Sequence, residues 1–135
     1  MRQFIDILRC WTLVLGVAIA PAMASAESYV IDSLAFPKDM PPEIGAIDFA
    51  GDGMLYISLR RGDVMVAKPS KDPKGFQWKR FATGFHNGCG MHIVKPGHLI
   101  VSQMAELTEV IDTDGDGIAD EYNKLETGIG LSGNY

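Results

Sequence analysis

The sequence predicts an all-β fold made of four-stranded β-propeller blades, and two observations support this prediction. Short apolar or alternating runs are separated by Gly, Pro or Asp about every 8–12 residues, and no helical periodicity follows residue 26. The chain also resembles itself at a spacing of 44 residues, close to the roughly 40–50 residues of one propeller blade. The alternative is a chance similarity between two hairpins of a β-sandwich.

The internal repeat is visible without any gap. When the chain is aligned with itself at an offset of 44 residues, predicted strands align with predicted strands and turn glycines with turn glycines. This agreement in position supports a repeat more strongly than the number of identical residues does. The identical pairs are Gly53 and Gly97, Leu55 and Leu99, Ser58 and Ser102, Val66 and Val110, Asp72 and Asp116, Thr83 and Thr127, and Gly84 and Gly128.

Eight strands follow from the alternation and the turn residues. They are predicted at Ile44–Ala50, Met54–Leu59, Val64–Ala67, Trp78–Ala82, Gly90–Val94, Leu99–Gln103, Thr108–Ile111 and Tyr122–Glu126.

The repeat also gives a domain organisation. We assign residues 41–84 to one blade and residues 85–128 to a second blade that carries an Asp-rich loop. Residues 27–40 are predicted to form a lead-in strand and linker, and residues 129–135 the truncated start of a further blade. Because propellers close with about 4–8 blades, we expect the chain to be the N-terminal part of a longer protein.

The first 26 residues have the pattern of a secretory signal peptide. Arg2 and Arg9 form a basic region, Trp11–Ala20 is continuously apolar, and Ala24–Ala26 is a small-residue cleavage signal. A retained membrane anchor is the alternative, although ten apolar residues are short for a bilayer span. The expected location is secreted or periplasmic, with a mature chain that begins at Glu27.

The charge and cysteine content exclude several classes. Without residues 1–26 the chain carries 10 basic and 16 acidic side chains, a net charge of −6, which argues against nucleic acid as a partner. Cys89 is then the one remaining cysteine, so no internal disulfide is expected, and its apolar setting predicts a small buried residue.

The Asp-rich segment has the spacing of a calcium loop. Carboxylates stand at relative positions 1, 3, 5 and 9, and Gly117 stands at position 6. A solvated acidic turn is the alternative, because position 12 is Asn123 and the flanking residues are predicted strands. The predicted Ca²⁺ ligands are Asp112, Asp114, Asp116, the Ile118 carbonyl and Asp120.

A second group of polar residues is predicted to share one face of the blades. Loops alternate between the two faces when strands run up and down, so the turns after the second strand of each blade lie beside the connection between the blades. His86, in that connection, could accept a proton from a substrate hydroxyl, or it could be a turn histidine bonded to its own loop. The Arg60–Arg61 pair could bind a carboxylate or serve solubility. The group predicted on this face is Arg60, Arg61, His86, Asn87, Gln103 and Glu106.

The ordered motifs of the chain resemble those of a known family. They are Gly-Asp-Gly-Met-Leu-Tyr-Ile-Ser-Leu-Arg-Arg-Gly-Asp-Val at residues 51–64, Gly-Phe-His-Asn-Gly at residues 84–88, and Asp-Thr-Asp-Gly-Asp-Gly-Ile-Ala-Asp-Glu-Tyr at residues 112–122, ending in Gly-Leu-Ser-Gly-Asn-Tyr. Together they are similar to the glucose/sorbosone dehydrogenase-like propellers, related to PQQ-dependent sugar dehydrogenases. The similarity is strongest to the large membrane-associated type whose propeller is often followed by a c-type haem domain.

The resemblance implies a function as well as a fold. It implies a six-bladed propeller, PQQ over the central channel, Ca²⁺ nearby, oxidation of a sugar or alcohol, and a c-type haem domain or cytochrome as electron acceptor. His86 matches the position of the general base in such enzymes. The competing hypothesis is a secreted propeller that binds a glycan or a protein partner without redox chemistry.

Overall fold

The computed structural model describes residues 29–130, in which eight β-strands are present and no helix occurs. No helix within this range is therefore long and apolar enough to cross a bilayer. The predicted signal peptide, residues 1–26, lies wholly outside the described residues, and so do residues 131–135. The strands are β1 (Ile44–Phe49), β2 (Leu55–Leu59), β3 (Asp63–Ala67), β4 (Lys79–Thr83), β5 (Gly90–Lys95), β6 (His98–Gln103), β7 (Glu106–Ile111) and β8 (Glu121–Thr127).

The eight strands form two separate four-stranded antiparallel sheets. Their orders are β1-β2-β3-β4 in the first sheet and β5-β6-β7-β8 in the second, so every strand pairs with its neighbour along the chain. Strands β2 and β6, which the repeat treats as equivalents, lie in different sheets, as predicted. The repeat is also visible in the boundaries, because β2, β3 and β4 each end 44 residues before β6, β7 and β8 end. The all-β prediction and the pairing of four consecutive strands are thereby confirmed.

The strand alternation decides which side chains lie between the sheets. In β2 and β3, Tyr56 is paired with Val66 and Ser58 with Val64, so these residues share the face turned toward the second sheet. That face packs against buried Leu99, Val101 and Val110 of the second sheet. All five residues of β2 are buried, because both faces of this strand are covered.

The two sheets approach most closely along their first strands. The Asp48 carboxylate of β1 accepts a hydrogen bond from the Ile93 N–H of β5 at 3.2 Å. Gly45 of β1 lies so close to Gly88 that a Cβ on Gly45 would overlap with the Gly88 carbonyl oxygen. The Ser58 hydroxyl donates to this same carbonyl at 3.3 Å. The absence of a side chain at Gly45 is therefore a requirement of the packing.

The predicted lead-in strand is not a strand over the residues that the structure describes, 29–36. The Ala35 N–H donates to the Pro73 carbonyl oxygen at 3.0 Å, and the Trp78 indole N–H donates to the Ala35 carbonyl oxygen at 2.8 Å. Phe36 and Met40 pack on the outer apolar face of the first sheet, formed by Leu55, Ile57, Leu59 and Met65. Phe36 and Met40 thus cover a sheet face in the described structure, and the pairing of the lead-in segment within a closed ring stays a prediction.

Candidate functional site

The structure brings together the β2–β3 turn, the β6–β7 turn and the β4–β5 connection. The Phe85 N–H donates to the Gly62 carbonyl oxygen at 3.1 Å, and the Met104 N–H donates to the His86 carbonyl oxygen at 2.8 Å. Gly62 has φ of +106°, and a Cβ there would overlap with the Phe85 carbonyl oxygen, so only glycine permits this contact. We call the surface formed by these three segments the turn face.

His86 has a fixed backbone and an exposed side chain on the turn face. Its N–H donates to the Gln103 Oε1 atom at 2.6 Å, and its carbonyl oxygen accepts the bond from Met104. No described residue forms a hydrogen bond with the His86 imidazole, which is exposed. The second sheet thus holds the main chain on both sides of the ring and leaves both ring nitrogens available to a ligand.

Gln103 and Glu106 belong to a half-buried hydrogen-bond network behind His86. The Gln103 Nε2 atom donates to the Thr108 hydroxyl at 2.7 Å and lies 3.4 Å from Glu106 Oε1. The Thr108 hydroxyl donates to the same Glu106 oxygen at 2.5 Å. Because Gln103 uses its amide oxygen for the His86 N–H, this network fixes the position of the His86 main chain.

The arginine pair divides between two partners. Arg60 Nε donates to the Asn87 Oδ1 atom at 2.9 Å, and Asn87 adopts a left-handed φ of 54°, a conformation that asparagine tolerates better than most residues. Arg61 donates through Nε and Nη2 to Glu43 Oε1, at 3.1 and 3.0 Å. Arg60 is therefore the cation of the turn face that is not paired with a carboxylate.

The turn face fits a small polar substrate better than it fits a whole quinone. PQQ carries several carboxylates and needs cationic partners on more than one side, whereas the described part of this face offers Arg60 alone as an unpaired cation. A hydroxyl-bearing molecule needs only a base and hydrogen-bond partners, which His86 and the Asn87 side chain provide. The described residues would thus hold at most one edge of PQQ.

The Asp-rich loop joins β7 to β8 on the side away from the turn face. Carboxylate oxygens of Asp112, Asp114 and Asp116 lie within 4.8 Å of one another. Asp112 accepts the Gly115 and Gly117 N–H groups at 2.7 and 2.9 Å, which wraps the loop around this carboxylate. Oxygens bound to one Ca²⁺ at 2.3–2.6 Å are at most about 5 Å apart, so the spacing and the donor type of this aspartate triad fit calcium.

The two remaining predicted calcium ligands lie differently. Asp120 Oδ2 accepts the Thr113 N–H and the Thr113 hydroxyl, both at 2.9 Å, and Asp120 is not among the carboxylates that converge. These bonds lower the pKa of the Asp120 carboxyl, because they stabilise its ionised form. The Ile118 side chain is exposed, and its N–H donates to Asp116 Oδ1 at 2.8 Å. Asp120 therefore closes the loop through Thr113, whereas the carboxylates of the triad converge on one another, with Asp114 and Asp116 exposed.

No family model, curated protein or solved structure matches this chain in comparisons with known proteins.

The sequence did not predict two of the hydrogen-bond partners at these sites, and its prediction for the burial of one cysteine was wrong. Glu43, the partner of Arg61, follows two prolines just before β1 and carries no motif that would have singled it out. Thr113 stands inside the Asp-rich motif, and its hydroxyl could have been recognised as a donor to a loop carboxylate. Cys89 is exposed, so the prediction of a buried cysteine was wrong. Its flanking glycines leave no side chain to cover it.

Proposed function

We propose that this chain forms two blades of a β-propeller and supplies one wall of the substrate site of a quinone-dependent sugar or alcohol dehydrogenase. The observation that carries the proposal is the exposed His86 imidazole, whose main chain is fixed on both sides by the second sheet. Fixed placement is what a proton-transfer group needs, since a base must reach its proton within hydrogen-bond distance. The resemblance of the ordered motifs supports the same function.

In this proposal His86 takes the proton of the substrate hydroxyl, and Asn87 and Arg60 orient the substrate oxygens. PQQ would supply a quinone able to take up the hydride of the carbon that bears the hydroxyl, and Arg60 would hold one edge of it. Further cationic contacts to the quinone would be needed from residues outside the described part of the chain. Ca²⁺ at the aspartate triad has a structural role, because the triad lies on the side of the sheets away from His86.

A binding propeller without redox chemistry is the second candidate, and one observation favours it. The residue before His86 is Phe85, which is buried and packs near Tyr122 with ring centroids 6.0 Å apart. No described carboxylate is bonded to the imidazole, so its basicity and orientation lack the support that catalytic histidines commonly have. An exposed histidine beside an asparagine and an arginine also suits recognition of a glycan.

The test is turnover by the protein made from its complete gene, supplied with PQQ and Ca²⁺. His86→Ala should lower the rate of sugar or alcohol oxidation by about 10²-fold or more, the usual size of a lost general base. Added imidazole should restore part of the rate, which a merely structural defect would not allow. His92→Ala is the matched control, because His92 is exposed on β5 and lies away from the turn face.

Two results would refute the dehydrogenase proposal. If His86→Ala is as active as the parent protein, the base lies elsewhere. If the parent reduces no quinone with any sugar or alcohol, the binding candidate replaces the first, and a glycan array read with and without His86→Ala then tests that candidate.

A further inference from the structure

The two sheets are repeats of each other, so each sheet shows which residues the other needs merely to fold. At the 44-residue spacing Leu59 aligns with Gln103, and these residues end β2 and β6. Met65 and Thr108 also correspond, because each lies opposite the residue two positions before the end of β2 or β6. Leu59 and Met65 are buried and apolar. A four-stranded sheet of this kind therefore forms without polar groups at these two positions.

The second sheet has polar groups at both positions. Thr108 is 5% exposed, and Gln103 and Glu106 are half-buried. Burying an amide or a hydroxyl is unfavourable unless hydrogen bonds replace those to water. Here they do, because the Thr108 hydroxyl accepts from Gln103 Nε2 and donates to Glu106 Oε1. The network is satisfied, but it gives up the apolar contacts that leucine and methionine make in the first sheet.

The carboxylate at the start of the third strand is also used differently in the two sheets. Asp63 begins β3 and pairs with Arg80 at 2.9 Å. Glu106 begins β7 and takes part in none of the ion pairs within 4.0 Å among the described residues. The same place thus holds an ion pair in the first sheet and the end of a hydrogen-bond chain in the second.

The other end of this chain is the main chain of His86. Gln103 Oε1 accepts the His86 N–H at 2.6 Å. At the 44-residue spacing His86 aligns with Pro42, which has no N–H to donate. The first sheet therefore has a leucine where no N–H needs an acceptor, and the second sheet has a glutamine where one does. The polar network and the exposed imidazole occur together, in the same sheet.

We propose that Gln103 is a positioning residue for His86, held in its orientation by Thr108 and Glu106, and that this network serves the reaction more than the fold. The inference rests on the proposed function, in which His86 accepts the proton of the substrate. Gln103 acts through the His86 main chain and does not contact the substrate. Because a displacement of about 1 Å can lower a rate by about 10²-fold, a fixed main chain at the base is worth a buried polar network.

The decisive variant is Gln103→Leu, which gives the second sheet the residue that the first sheet has. In the protein made from its complete gene, supplied with PQQ and Ca²⁺, kcat should fall about tenfold or more while KM stays unchanged, because no substrate contact is removed. The Tm should equal or exceed that of the parent protein, since an apolar side chain replaces a polar one and the exposed His86 N–H can bond to water. A merely structural residue would lower the Tm and the rate together.

Hydrogen exchange of the His86 amide tests the geometry without any turnover. In Gln103→Leu this amide should exchange about tenfold faster, because its acceptor is gone. The Cys89 amide donates to the Ser102 carbonyl oxygen at 3.0 Å, and its exchange should not change. Thr108→Val should speed the exchange of the His86 amide and lower kcat in the same direction, whereas Thr108→Ser keeps the hydroxyl and should behave as the parent protein.

Ile57→Val is the matched control. Ile57 is buried on the outer face of the first sheet, so this variant should lower the Tm slightly and leave both kcat and the exchange of the His86 amide unchanged.

The proposal is overturned if the parent protein is active and Gln103→Leu keeps its kcat, or if the His86 amide exchanges no faster in Gln103→Leu. Equal behaviour of Thr108→Val and Thr108→Ser overturns the role of the hydroxyl. If the parent protein oxidises no substrate but the His86 amide responds as expected, the dehydrogenase proposal fails and the positioning of His86 by Gln103 stands.

Discussion

Phe81 tests whether the two sheets unfold as one unit. Its side chain belongs to β4 of the first sheet, is 1% exposed, and shares a buried cluster with Leu99 and Val101 of the second sheet. Its carbonyl oxygen accepts the Ala119 N–H from the Asp-rich loop at 2.7 Å. Phe81→Ala would therefore leave a void at the junction between the sheets.

The expected size follows from the burial. A fully buried Phe→Ala substitution costs about 3–5 kcal/mol, and the lost edge-to-face contact with Tyr56 is part of that cost. A domain of this size is stable by only about 5–15 kcal/mol, so the alanine variant could be largely unfolded. Phe81→Leu, which keeps most of the volume, should cost about 1.5 kcal/mol and lower the Tm by roughly 6–12 °C.

The assay is equilibrium unfolding in urea, combined with hydrogen exchange. Phe49→Ala is the matched control, because Phe49 belongs to the same sheet but is 60% exposed, and it should change stability by about 0.5 kcal/mol or less. In Phe81→Leu, amides of β6 should lose as much protection as amides of β2. If only the first sheet loses protection, or if Phe81→Leu costs no more than Phe49→Ala, the sheets do not form one cooperative unit.

Two further predictions concern charged groups. Millimolar Ca²⁺ should raise the Tm, because an ion that binds the folded state stabilises it by mass action. The double substitution Asp114→Ala with Asp116→Ala should abolish this shift. If Ca²⁺ leaves the Tm of the parent protein unchanged, the loop is an acidic turn without a calcium site. The hydrogen bond from His98, at 2.7 Å, lowers the pKa of the Glu109 carboxyl below its usual 4.5. Glu109 therefore contributes stability that is present above pH 4.5 and lost as the pH falls through the lowered pKa. Glu109→Gln should flatten the acid limb of the stability profile, and a limb identical to that of the parent protein would contradict this assignment.

Part of the candidate site could be predicted from the sequence. The Gly, Pro and Asp residues between apolar runs located the turns, and antiparallel neighbours then placed Arg60, His86 and Gln103 on one side. The motif spacing found the aspartate triad, because three carboxylates at alternate positions of a tight loop are brought together by the loop itself. These features depend on residues that are near one another along the chain.

The pairing of the charged side chains could not be predicted in this way. Arg61 binds Glu43, which lies 18 residues earlier in the chain. Asp120 accepts a hydrogen bond from the Thr113 hydroxyl and does not join the aspartate triad. Both outcomes depend on which direction a side chain takes and on which segment lies beside it. The alternation pattern specifies only the face of the sheet.

The sequence by itself determined the eight strands, their division into two sheets and the side on which each loop lies, because period-two alternation and turn residues act locally. Only the tertiary structure decided that Gly45 must leave room for the Gly88 carbonyl, that Phe36 and Met40 cover a sheet face, and that a cavity lies between the two sheets. Those features arise where two sheets meet. The distance and angle between sheets are set by the packing of all the buried side chains together, and no local stretch of sequence contains that information.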